Sequence, residues 1–177
     1  SKAVFGGVIL FYVTIYNHFQ RIGGMMNYLF FSLTFTGLHA LAYMGAGLVA
    51  FNISSDLYQG KGRLLDFLVD PEEEGEGGFT LKKVIPAQII RGLIMSVVLY
   101  PILGFLSEIS FLAQFLFFGG LTFIYTDLSS ADPFPSNIEG WVYMKKDYLS
   151  KEAFWKIQTE MVIYSGVFGL LAAWLLV

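Results

Sequence analysis

The sequence predicts an all-α fold: a polytopic transmembrane helix bundle of about five spans with a cytoplasmic N-terminus. Composition is the first reason. The 177 residues are 55% hydrophobic and only 14% charged, against roughly 45–50% and about 25% in an ordinary soluble domain. With 18 Phe, 10 Tyr and 3 Trp, a soluble chain of this length could not bury its apolar surface, whereas a bilayer accepts it directly. Length is the second reason: five apolar runs meet the roughly 17–25 helical residues that cross a hydrocarbon core. Charge is the third. Five spans place Lys2, Lys61, Arg63, Lys82, Lys83, Lys145, Lys146, Lys151 and Lys156 on one side and Arg21 on the other, with Arg91 inside a span. Nine against one is a strong positive-inside bias and marks the first side as cytoplasmic. Losing a span would scatter these charges over both faces, so the asymmetry also supports the count.

The runs cover residues 3–19, near the lower length limit; 27–51, long enough to cross with tilt; 84–106; 109–125; and 161–177, extended at its start by the residues before it. None alternates apolar and polar residues as barrel strands do, which favours helix. Lys2 and the run after it begin like a signal peptide. No small-x-small cleavage site follows before Asn17 and His18, so the run is expected to be retained. The chain, 1–177, reads as a single transmembrane domain with cytoplasmic loops over about 52–83 and 128–158.

In the first loop, residues 63–70 have the pattern of two turns of amphipathic helix lying on the membrane surface. Residues 70–78, acidic and glycine-rich, have nothing apolar to bury and read as a solvated linker. Asn52-Ile-Ser54 matches a glycosylation sequon, discounted because it falls on the cytoplasmic side. In the second loop, two prolines make 132–137 a rigid turn. Ser150 has the chemistry of an N-cap, with Glu152 in the first turn of the helix it opens. Phe154 and Trp155 suit the interface where that helix enters the membrane.

Some residues are too polar to sit in a bilayer without a reason. Arg91 lies eight residues past Lys83, roughly 12 Å into the third span at 1.5 Å per residue. A charge near the bilayer centre costs about 2.5–3.5 kcal/mol on insertion scales, so it is expected to face protein or a water-filled cavity. Gln88, three residues earlier, shares its face. Arg91 reads either as an anion, headgroup or substrate contact, or as a structural residue that snorkels to the interface or pairs with Asp127 or Glu139. His39 sits at the midpoint of the second span, in a stripe with Ser32, Thr36 and Tyr43 at spacings of 4, 3 and 4. Such a stripe points into the bundle, as a proton relay, a ligand contact or interhelical hydrogen bonding. The other histidine, His18, lies at a different depth, so a bis-His haem is not expected. Gln114 and Tyr125 share a face of the fourth span, with Thr122 at its margin. Gly166, Gly169 and Ala173 form a small-residue stripe suited to close helix packing.

Several functions are disfavoured. There is no cysteine for a disulfide, thiolate site or Cys nucleophile. No basic and aromatic surface suits nucleic acid. No P-loop, G-x-S-x-G, H-E-x-x-H or Rossmann fingerprint is present. Asp127, Asp132 and Glu139 could hold Mg²⁺ for headgroup chemistry, but three acids in such a loop are common by chance, and neither a metal nor a cofactor is assigned. The favoured reading is small-molecule or ion transport, or permeation, along a polar intramembrane path. Its candidate binding residues are His39, Gln88, Arg91, Gln114, Asp127 and Glu139. The alternatives are an accessory or scaffold subunit of a membrane complex, and a membrane-embedded enzyme acting on a lipid or isoprenoid phosphate; the balance leans against an enzyme. The expected location is the cytoplasmic (plasma) membrane. The expected partners are the bilayer, a second copy or other membrane subunits.

Overall fold

The mainly apolar sequence after Gly24 has no proline and no Asp, Glu, Lys or Arg to stop it, and it forms one long helix. The computed structural model describes residues 24–60, 62–68 and 81–176, and every regular element among them is helical. Helix α1 is Gly24–Ile53, followed by a short α2, Ser55–Tyr58. Helix α3 is Leu81–Val98; a 3₁₀ turn over Tyr100–Ile102 leads into α4, Leu103–Glu108. Helix α5, Phe111–Phe123, runs into a π turn over Ile124–Leu128. Helix α6 is Ile138–Tyr143, and α7 is Lys151–Leu175.

Among the described residues, three helices are long and apolar enough to cross a membrane: Asn27–Ile53, Phe111–Leu128 and Lys151–Leu175. A fourth crossing exists if Lys83–Val98 and Tyr100–Glu108, bent by 43° at their junction, count as one. Of the about five spans expected from the sequence, the described residues hold four counterparts, three single helices and one bent pair. The run 3–19 lies outside them. The bend has a local cause. Pro101 has no N–H to give, and its ring opposes the carbonyl four residues back, at Val97. The chain tightens there, with the Leu99 N–H donating to the Ser96 carbonyl at 3.1 Å.

Helices α3 and α7 both pack on α1, and α5 packs on α7. The cross-helix contacts run in opposite chain directions, as His39–Gln88 and Ser32–Ser96 show for α1 and α3. All these neighbours are therefore antiparallel, and the connections after α1 and α5 share one end, here the loop end. Arg63, Lys83, Lys145, Lys146, Lys151 and Lys156 lie there. Phe35, Phe118 and Phe168 are fully buried at the centre, with Phe168 edge-on to Phe35 at 5.0 Å and to Phe118 at 6.4 Å. Outward faces stay apolar, with Ile90 and Ile94 of α3 and Leu112 and Leu116 of α5 exposed.

The loop end has its own small core of Leu57, Leu65, Ala153 and Ile157. Here the structure corrects an expectation. Residues 64–67 are turns, not an amphipathic helix on the membrane surface. Leu65 is 0% exposed, and its N–H bonds the Leu57 carbonyl at 3.1 Å. The segment folds back on α2 because Leu65 is removed from solvent more completely inside the bundle than at an interface. Residues 70–78 lie outside the described residues. Ser150 does cap α7: its Oγ accepts from the Ala153 N–H at 2.9 Å. Ser150→Ala is expected to destabilise the protein by about 1 kcal/mol, read as a lower Tm by tryptophan fluorescence in detergent.

Candidate functional site: a buried polar file along α1

Side chains three and four apart on α1 share a face, and Ser32, Thr36 and His39 are all buried on that face. His39, 0% exposed, is the pivot. Its Nδ1 lies 2.7 Å from the Tyr164 hydroxyl of α7, and its Nε2 lies 3.1 Å from Gln88 Oε1 of α3. The pairing selects a tautomer. Gln88 Oε1 can only accept, which puts the imidazole proton on Nε2 and leaves Nδ1 to accept from the Tyr164 hydroxyl. The Nε2–H then donates to the Gln88 carbonyl oxygen. A neutral imidazole thus joins three helices with both nitrogens satisfied.

The close fit on α3 comes from Gly92. A β-carbon there would stand 2.9 Å from the Thr36 Cα and 3.2 Å from the His39 ring. Only a glycine lets the two helices approach this far without a shift.

Towards the end away from the loops, Ser96 Oγ donates to Ser32 Oγ at 2.8 Å, and Ser32 Oγ is 2.6 Å from the Tyr100 hydroxyl. Between this group and His39 sits Thr36, whose buried Oγ1 has no hydrogen-bond partner. A buried hydroxyl left this way costs about 1–3 kcal/mol, so the join in the file is polar but not closed.

Towards the loop end, the Tyr43 ring lies against His39 at 6.3 Å and Tyr164 at 6.0 Å. Below it, the Tyr58 hydroxyl donates to Glu160 Oε2 at 2.7 Å. Burial and the neighbouring Glu160 charge push the Tyr58 hydroxyl well above the usual phenol range, so it remains a donor.

Asp127 closes the loop end. It is 5% exposed and accepts from Ser136 Oγ at 2.6 Å and Gln158 Nε2 at 2.7 Å. Gln158 Nε2 also donates to the Ser136 carbonyl at 2.9 Å. The proline turn is held by Asn137, whose Oδ1 accepts from the Phe134 and Gly140 N–H groups. The rigid turn expected over 132–137 is thus present, and it is locked onto the bundle through Asp127.

The structure therefore unites His39 with Gln88 and sets Arg91 beside them, half-buried on α3. The other candidates stand apart. Gln114 donates to the Leu106 and Ile109 carbonyls at 2.9 and 3.2 Å, capping the end of α4. Glu139 occupies the first turn of α6, where a carboxylate suits the helix dipole. Tyr125 does not share the face of Gln114, because it is 71% exposed. The π turn is the reason. Its extra residue moves the buried face from Thr122 to Asp127 and swings Tyr125 outward. Among the described residues, no group of three His, Asp or Glu is placed to hold a metal.

Sequence reasoning missed Tyr164, Gln158, Glu160 and Ser96. Two of these, Gln158 and Tyr164, could have been found. A helix started at the Ser150 cap and carried to 175 puts Ile157, Gln158, Tyr164, Ser165 and Phe168 on one buried side.

Fold and site together define a class: an all-α bundle with membrane-length helices around a buried polar file. Set against known protein families, characterised proteins and solved structures, the chain matches none.

Proposed function

We propose that this chain is an integral membrane protein that passes protons from one side of the bilayer to the other along the α1 stripe. The observation that carries this reading is the fully buried His39, bonded on one nitrogen to Tyr164 and on the other to Gln88. A packed interior with fully buried aromatic rings suits protons better than larger solutes, because protons move along hydrogen bonds without an open bore. The imidazole keeps a lone pair on one nitrogen and a proton on the other, the arrangement a proton relay needs. The hydroxyls of Ser32, Ser96 and Tyr100 extend the file one way, and Tyr43, Glu160 and Tyr58 extend it the other. By the positive-inside rule the loop end is cytoplasmic.

The test is proton flux into liposomes that contain a pH-sensitive dye, driven by a potassium-diffusion potential. The purified chain should acidify the lumen faster than empty liposomes do, and His39→Phe should remove at least about nine-tenths of that excess, since it fills the volume without a titratable nitrogen. Equal rates for the wild type and His39→Phe, or no excess at all, would sink the reading.

A second reading rests on a different observation. Gly37 and Gly45 of α1 are exposed with open space beside them, the kind of surface on which another transmembrane helix packs closely. That favours a subunit of a membrane complex. A partner co-purifying in stoichiometric amount, lost on Gly37→Leu, would support it.

A further inference from the structure

Helix α6 has six residues, roughly 9 Å of helix and too few to cross a bilayer, yet it turns an apolar face outward. Trp141 and Val142 follow Ile138 by three and four residues, so the three share one side of the helix. All three are exposed. The opposite side is fixed. Gly140 is buried there, so close to the proline turn that a β-carbon would stand 1.8 Å from the Phe134 carbonyl oxygen. The Asn137 side chain accepts from the Gly140 N–H at 2.8 Å. The turn thus holds α6 in one orientation, with its apolar face free.

Ring contacts set the level of that face. Trp141 lies 5.7 Å from Phe154, and Phe154 lies 5.2 Å from Trp155, both at the start of α7. Trp155 is exposed as well. Two exposed indoles therefore flank Phe154 where a membrane-length helix begins, the level at which tryptophan sits among lipid headgroups. Charge completes the surface. Lys145 and Lys146, both exposed, stand just past α6. Neither forms an ion pair among the described residues, whereas Lys156 is engaged by Asp56 and Glu152. From 138 to 151 three lysines stand against two carboxylates, Glu139 and Asp147, and Glu139 is half-buried. An apolar face with free lysines beside it complements acyl chains under anionic headgroups.

We propose that α6 is an interfacial foot. It seats Ile138, Trp141 and Val142 in the cytoplasmic leaflet, and Lys145 and Lys146 give it a preference for anionic phospholipid. The proposal rests on the membrane reading of the bundle and not on proton transfer.

The full chain is reconstituted in phosphatidylcholine vesicles that carry a small fraction of brominated lipid, which quenches tryptophan on contact. Trp155→Phe with Trp174→Phe leaves Trp141 as the reporter among the three tryptophans. Brominated phosphatidylglycerol should quench Trp141 about threefold more than the same fraction of brominated phosphatidylcholine. Lys145→Gln with Lys146→Gln should make the two equal while quenching by phosphatidylcholine persists. Val142→Glu should lower quenching by both. A protein that keeps only Trp174 is the control. That residue is exposed near the far end of α7, so it is quenched if the bundle spans the bilayer, wherever α6 lies. Quenching of Trp174 with none of Trp141 overturns the proposal and leaves the membrane reading standing; quenching of neither overturns both. Equal quenching of Trp141 by the two lipids, with both lysines present, overturns the anionic preference. Trp141 quenching that rises as the protein is diluted in lipid would assign the face to a second copy of the chain, and overturns the proposal too.

Discussion

Asp127→Ala is expected to destabilise the protein by about 3 kcal/mol, because it strips the acceptor from two buried donors at once. Ser136 Oγ and Gln158 Nε2 both end on this carboxylate, at 2.6 and 2.7 Å. Truncation leaves a hydroxyl and an amide facing a small void that neither can satisfy. For a chain of this size that loss lowers Tm by about 10 °C. Asp127→Asn keeps one acceptor oxygen and the shape of the site, so roughly half the loss should return. The proline turn should loosen too, since Ser136 and Asn137 are buried only while the turn is held against α7. Limited proteolysis would report this as new cleavage between residues 129 and 137. Combining Asp127→Ala with Gln158→Leu should cost less than the two changes separately, as expected for residues in one network. An unchanged Tm for Asp127→Ala would show that the three-residue lock contributes nothing.

The same residue shows where reading from sequence stops. Its position at the end of a span, beside a proline turn, is legible, and so is its unusual polarity for that place. Its role is not, because a π turn cannot be recognised from composition or period. With an ideal 3.6-residue repeat, the face of Gln114 continues to Tyr125, and Asp127 points elsewhere. One inserted residue reverses the two. The α1 stripe is the opposite case. Spacings of 4, 3 and 4 are a helical period, an apolar helix has few places to hide hydroxyls, and Ser32, Thr36 and His39 are all buried as that argument requires. What the stripe cannot disclose is its partners. Tyr164 lies 125 positions from His39 in the chain; the period of α7 marks it as buried, but nothing local says which helix it faces. Leu65 was misplaced for a related reason: amphipathic spacing says which residue seeks an apolar environment, not whether membrane or protein supplies it.

Gly169→Leu should be the most damaging single change at a helix seam, and Gly166→Leu should be nearly silent. The sequence puts both glycines on one stripe, but the structure separates them. A β-carbon at Gly169 would lie 2.8 Å from the Gly119 nitrogen and 3.0 Å from the Phe115 carbonyl oxygen, all backbone of α5. Backbone cannot rotate aside as a side chain can, so α5 must move off α7. Overpacking of this kind costs about 1–3 kcal/mol and sometimes more. At Gly166 nothing stands within 4 Å, and a leucine there should change stability by less than about 0.5 kcal/mol. The seam also decides how the damage spreads. Asp127 is carried by the π turn that extends α5 and Gln158 by α7, so separating the helices should reproduce the cleavage between residues 129 and 137 expected for Asp127→Ala. Equal losses of Tm for Gly166→Leu and Gly169→Leu would mean that the α5–α7 contact is not the close backbone crossing described here.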